Sequence, residues 1–280
     1  MFNVNELNQD EKFALLIGIL LGDGCLSRYV TKKGRTHFAI SIVCNYHDDI
    51  PFFKRVVAPL INSLREGMKP VRIIERPKKS TVEILFSDKG FFHRINSIGF
   101  PIGKKGANIE IPKIFYEKSL LKYIVQGFFA TDGSLVLTKN PNKFYPRVEG
   151  TGISKKLISQ ICFHLNEGGM RGYFYIAKRN KMNHFGETRQ QPYRFQFNGK
   201  NNLLLFKRLI GFVNPKHEKK FLDFINYNLR YDHMLKDNGF SKQKILREKI
   251  NSKFIEKMAT PRVELGTSSC PKSEIFEQIK

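Results

Sequence analysis

Two segments of the chain read almost alike, and their likeness limits what it can fold into. Residues 16–24 are Leu-Ile-Gly-Ile-Leu-Leu-Gly-Asp-Gly, and residues 125–133 are Val-Gln-Gly-Phe-Phe-Ala-Thr-Asp-Gly. Gly18 corresponds to Gly127, Asp23 to Asp132, Gly24 to Gly133 and Leu26 to Leu135, each pair 109 residues apart. Each copy is an apolar run of helical length that ends in Asp-Gly. Gly18 and Gly22 stand at i and i+4 on one helix face, where the second copy has Gly127 and Thr131. Small residues at that spacing let two helix backbones approach closely, with a looser contact expected at the bulkier Thr131. Gly24 and Gly133 are expected to end the helices in the left-handed conformation. Asp23 and Asp132 then lie at helix C-termini, where partial negative charge disfavours an acid. Two acids placed there side by side require a cation. A single Asp-Gly is only a turn signal; two matched copies describe paired helices with a carboxylate at each foot.

The residues after each motif repeat in order. In the first half, Cys25 to Val30 and Thr36 to Cys44 read as strands joined by a basic turn, and residues 47–65 as a helix. Val71 to Glu75 and Thr81 to Phe86 form a second hairpin, and a helix capped by Ser87 or Asp88 stops at Gly99. In the second half, Ser134 to Lys139 and Tyr145 to Gly152 are the strands, followed by a helix from Ser154. Gly172 to Ala177 and Tyr193 to Asn198 form the next hairpin, and a last helix runs through Leu203 and Ile210. Ile98-Gly99-Phe100 recurs as Ile210-Gly211-Phe212, the small drift in spacing being what loop insertions allow cheaply. The expected fold class is α+β: tandem αββαββα repeats forming a pseudo-twofold monomer. The expected division is 1–100 for the first half, 101–118 for a linker, 119–235 for the second half and 236–280 for a basic extension.

Both motif segments resemble the namesake motif of the LAGLIDADG homing endonucleases, in the single-chain, two-motif form. The resemblance covers roughly residues 10–235 and implies saddle-shaped antiparallel sheets. It implies that Asp23 and Asp132 are catalytic and bind Mg²⁺, with the carbonyls of Gly22 and Thr131 beside them, and that Mn²⁺ or Ca²⁺ can substitute in binding. Family members often place a basic residue near each scissile phosphate. Aligning Gly99-Phe100 on Gly211-Phe212 superposes Lys104 on Lys216, which makes these two the candidate catalytic lysines. The implied activity is a Mg-dependent double-strand break at a long, pseudo-symmetric DNA site. The alternatives are an RNA-binding intron maturase or a DNA-binding regulator that no longer cleaves; two intact acids favour cleavage. An intein is not expected, because no splicing nucleophile stands at position 1 and no His-Asn pair ends the chain.

Composition agrees with a nucleic-acid partner. The 280 residues carry a formal charge of +23 with 12% aromatic residues, more positive charge than solubility needs. The apolar runs Phe13 to Leu21 and Ile124 to Ala130 are too short to cross a bilayer, and the opening Met-Phe-Asn-Val-Asn-Glu is not a signal peptide. Cys25, Cys44, Cys162 and Cys270 show no zinc spacing, so an oxygen-bound ion and a reducing intracellular compartment are expected.

The DNA surface should lie on strands whose polar residues alternate with apolar ones. Arg194, Gln196 and Asn198 share one face of their strand, as do Arg147, Glu149 and Thr151, and Arg72, Ile74 and Arg76. Arg, Gln and Asn can make paired contacts with guanine and adenine edges. Arg28 and His37 of the first hairpin belong to the same candidate set. The hairpin turns add Lys32, Lys33, Arg35, Lys78, Lys79, Lys139, Lys143, Lys178, Arg179 and Lys181 as phosphate contacts. Ser241 to Met258 has a helical, lysine-rich pattern. A monomer that needs no protein partner is expected.

Overall fold

The structure, a computed structural model, describes residues 2–139, 144–178 and 190–237, with side chains to residue 228. Chain contacts divide it into two units, Met1–Tyr231 and Asp232–Lys280. Lys143, Arg179, Lys181 and the helix expected over Ser241 to Met258 lie outside the described residues.

Helix α1 (Gln9–Asp23) starts at a capping box, with Asn8 accepting from the Glu11 amide and Glu11 accepting from the Asn8 amide. Phe13 to Leu21 are all buried, so α1 is a core helix rather than an amphipathic surface one. It runs directly into β1 (Gly24–Val30), which is followed by β2 (Thr36–Asn45). A helical stretch then comprises α2 (Tyr46–Phe52), a π-helical turn (Phe53–Val57) and α3 (Ala58–Leu64). β3 (Ile73–Arg76), β4 (Thr81–Ser87) and α4 (Lys89–Ser97) complete the first half, with Asp88 accepting from the Phe91 amide as the cap of α4. The segment between halves holds a short helix, α5 (Ile114–Glu117), and buries Ile109, Ile111 and Phe115.

The second half repeats the order: α6 (Leu121–Thr131), β5 (Gly133–Thr138), β6 (Tyr145–Gly152), α7 (Lys155–Glu167), β7 (Gly172–Ile176), β8 (Tyr193–Asn198) and α8 (Lys200–Leu209). A further helix, α9 (Pro215–Asp237), was not foreseen from the sequence. The two sheets have the same antiparallel order, β1-β2-β4-β3 and β5-β6-β8-β7. In each, alternate residues such as Ile40, Ile42 and Ile84, or Val148, Phe195 and Phe197, are buried against helices. The opposite face of each sheet is open.

α1 and α6 pack side by side and parallel. Equivalent residues meet: Gly18 lies against Ile124 and Gly127, Gly127 against Leu15 and Gly18, and Gly22 against Thr131. Such reciprocal contacts between positions 109 apart mark a local twofold axis along the helix pair. A methyl at Gly18 would strike the Ile124 carbonyl, and one at Gly127 the Leu15 carbonyl, so the backbones touch as the small residues allow. The contact at Thr131 is not looser: its side chain fills the space that the absent Gly22 side chain leaves, and its hydroxyl donates to the Phe128 carbonyl at 3.0 Å.

The expectation of left-handed glycines after the acids is corrected. Gly24 has φ −92° and ψ 160°, in extended backbone, and Gly133 opens β5. Glycine is required there because the chain folds straight back on its own helix, and a Cβ would overlap Leu20 or Phe129. Left-handed glycines instead close the last helix of each half, Gly99 at φ 96° and Gly211 at φ 79°.

Candidate functional site

The paired helices bring the two acids to one place. Asp23 ends α1, Asp132 caps α6, and a side chain on Gly22 would come within 3.5 Å of the Asp132 carboxyl carbon. Burial pushes the Asp132 carboxyl up to about 7, and the charge of Asp23 pushes the same way. Burial also raises Asp23, against a hydrogen bond from Cys44 and the charge of Lys105. Two crowded, part-buried carboxylates that hold their protons this tightly form an incomplete charge centre, as a cation site should.

Lys105 reaches into that centre from the segment between the halves. Its ammonium donates to the carbonyls of Leu20 at 3.1 Å and Leu21 at 3.0 Å, and also to the Gly22 carbonyl. Burial lowers its proton affinity while Asp132 and Asp23 raise it. An ammonium thus caps the carbonyls of the last α1 turn, the place where a helix end attracts positive charge. Lys104, the candidate from the sequence, is exposed beside it.

The alignment that paired Lys104 with Lys216 does not hold in the fold, for a geometric reason. In the second half Asn214 donates to the Ala130 carbonyl at 2.9 Å, and Ala130 is the equivalent of Leu21. The structural partner of Lys105 is therefore Asn214, the two again 109 residues apart. Lys105 follows Phe100 by five positions but Asn214 follows Phe212 by two. An ungapped alignment on Gly-Phe could not register that difference.

Lys216 stands near Asp23 and lowers its proton affinity. Its ammonium is held at 2.8 Å by Asp49, a carboxylate 4% exposed that also accepts from the buried Asn214 amide at 2.8 Å. Asp49, Asn214 and Cys44, whose thiol donates to Asp23 at 3.2 Å, were not singled out from the sequence. Their neighbourhood joins residues far apart in the chain, and no local spacing announces it.

The two acids fit a hard divalent cation through their oxygen donors and shared charge, with the Lys105 ammonium standing where positive charge is favoured. The Gly22 carbonyl, expected among the ligands, accepts from Lys105. Among the described residues no group of three His, Cys, Asp or Glu side chains forms a metal site, and the charged ligands at the helix feet are Asp23 and Asp132. The remaining ligands would have to be carbonyl, water or substrate oxygens.

The candidate recognition residues divide by face. Strand register places Arg147, Glu149, Arg194, Gln196 and Asn198 together on the open face of the second sheet. They are linked before any ligand arrives: Tyr175 donates to Gln196 at 2.9 Å, Gln196 to Asn198 at 2.8 Å, and Arg194 to Thr151 at 3.0 Å. On the first sheet the open face carries His37, stacked on Tyr29 with ring centroids 5.4 Å apart, and Arg76, paired with Glu83 at 2.7 Å. Arg72 continues that face and is exposed. Arg28 is a correction: it is opposite Phe38, whose ring packs on Phe92 of α4, so it leaves the helix-covered face. Lys32, Lys33, Arg35, Lys78, Lys79, Lys139 and Lys178 are all exposed in or beside the turns.

No family model matches the chain. Solved structures of the homing endonuclease I-DmoI share its fold. One, from a study of mesophilic variants, is 17% identical with TM-score 0.50 over 73% of this chain and 92% of that one. Another, in complex with DNA and Ca, is 16% identical with TM-score 0.51 over 73% and 91%. Sequence relatives come from Methanocaldococcus jannaschii. A probable translation initiation factor IF-2 is 27% identical over 218 residues, 76% of this chain but 16% of that protein. A replication factor C small subunit is 29% identical over 196 residues, 62% of this chain and 10% of that protein. The matched stretch is a minor part of each, so neither name describes what the shared residues do.

Proposed function

We propose that the chain is a site-specific DNA endonuclease that breaks both strands of a long, pseudo-symmetric duplex site. The observation that carries this reading is the meeting of Asp23 and Asp132 at the feet of two parallel helices related by a local twofold axis. Two equivalent acids on such an axis suit two equivalent phosphodiesters, one on each antiparallel strand. The fold shared with I-DmoI, solved with DNA and with Ca or Mn, supports the same conclusion.

Asp23 and Asp132 would hold Mg²⁺ or a similar divalent ion, with the Gly22 and Thr131 carbonyls next to them. The bound ion supplies charge neutralisation at the phosphate and a more acidic water. The Lys105 ammonium, fixed by three carbonyls, presents a positioned charge to the phosphate oxygens. Exposed turn lysines hold the DNA backbone, and the open sheet faces read base edges. The protein acts as a monomer because both half-sites are on one chain.

The test is to incubate the full chain with Mg²⁺ and a plasmid library of randomised sites, beside the Asp23→Asn and Asp132→Asn variants. The wild type should enrich cleaved plasmids with a common site of roughly twofold-related halves. Each variant should still bind that site while losing most cleavage of both strands, because acids this close serve both reaction centres. Near-normal cleavage by either variant would remove that acid from the active site.

A further inference from the structure

The two sheets agree in order and register but not in the chemistry of their open faces. Ser41 is opposite Leu85 in the first sheet, where the second pairs Glu149 with Gln196. Val43 pairs with Glu83 where Thr151 pairs with Arg194, and Ala39 stands at the place of Arg147. At these matched positions Leu85 and Val43 on the first sheet replace Gln196 and Thr151, and the buried Ala39 replaces Arg147, while Ser41, Glu83 and Ser87 stay polar. Leu85 is 46% exposed and Val43 40% exposed, near the middle of the sheet and diagonal to one another. Ile74, paired with Glu83, adjoins them. Folding does not require this cluster, because the helices cover the other face.

We infer that the Leu85–Val43 patch of the first sheet reads thymine methyl groups in its half-site, whereas the matched positions of the second sheet read theirs by hydrogen bonds to base edges. This deepens the endonuclease reading and rests on it. The occupant is duplex DNA because the turns at the two ends of this sheet carry exposed Lys32 and Lys33 on one side and exposed Lys78 and Lys79 on the other, with Arg72 exposed just before β3, a charge pattern suited to phosphate on both sides of a groove. Within a major groove the one apolar group a base pair offers is the thymine C5 methyl. Aliphatic side chains cannot select guanine or cytosine there and gain only from covering that methyl. The target should accordingly have unlike halves: one rich in thymine on the contacted strand and tolerant of change, the other more strictly defined.

The experiment uses the full chain with Ca²⁺ and duplexes selected by binding from a randomised library. Each thymine of the selected site is then replaced by deoxyuridine, which removes the methyl and leaves base pairing intact. In the half-site of the first sheet, each contacted methyl should contribute roughly fourfold in affinity, about 0.8 kcal/mol for a buried methyl-sized group. Leu85→Ala, at an exposed position, should weaken binding to the thymine duplex, leave binding to the uracil duplex unchanged, and thereby locate that half-site. Gln196→Ala should instead relax base choice in the other half with no change in uracil sensitivity. Equal affinity for thymine and uracil duplexes throughout the half-site sensitive to Leu85→Ala would overturn the inference. Selection of no common sequence would overturn the endonuclease reading, and this inference with it.

Discussion

Asp132 holds its proton far more tightly than an ordinary carboxyl, and this sets a sign for the pH response of the metal-free protein. Its affinity, raised from 3.8 to about 7, is higher in the folded chain than in the unfolded one. The stability it supports is present below about pH 4 and is lost as pH rises through about 7, by up to a few kcal/mol. Thermal melting with EDTA should show Asp132→Asn gaining over wild type above pH 7, with the gap closing towards pH 4. Lys216 gives a second prediction, because its charge is engaged by Asp49. Lys216→Met should destabilise by about 2–3 kcal/mol, less than a fully buried pair because the lysine is partly exposed. The double variant Asp49→Asn with Lys216→Met should recover most of that loss in a denaturant titration. Cleavage that returns with stability would make Lys216 structural; cleavage that stays lost would give it a direct role. Lys105→Met should differ from both, melting near wild type while losing cleavage, since its partners are helix-end carbonyls that water can also satisfy.

At the scale of elements, the close helix pair is the least tolerant part of the molecule. Gly18→Ala places a methyl against the Ile124 carbonyl, a backbone atom that cannot rotate away. The expected cost is about 1–3 kcal/mol by overpacking, with cleavage reduced as the two acids separate. Melting and cleavage measured on that one variant check both. These elements were legible in the sequence because each is written locally: apolar runs of helical length, two-residue alternation in strands, and basic turns between them. The acids were legible because they are part of the repeated motif. Lys105, Asn214 and Asp49 were not, because their contacts to Leu21, Ala130 and Lys216 join segments whose separations follow from how the halves pack. The glycines after the acids were correctly located, yet for the wrong reason. A tight fold-back onto a helix and a left-handed turn both demand the absence of a side chain, and sequence alone cannot separate them.

The whole molecule carries its charge as a field for a polyanion. Affinity for duplex DNA should fall with salt along a slope of roughly −0.9 per phosphate contacted. A flat response in a filter-binding titration would mean that the turn lysines do not meet phosphate. Light scattering of the free protein should give the mass of one chain, since both acids already share an axis within it. The same axis bears on the product of the reaction. Because α1 and α6 touch backbone to backbone, the interval between the two acids is fixed by the protein and not by the DNA. If the chain cleaves both strands as proposed, changes on the open sheet faces should redirect it to other sequences and leave the stagger between the two nicks as it was. On the endonuclease reading proposed above, the helix pair would be a ruler: the sheets would choose where on a duplex it is laid, and the glycines would set its length.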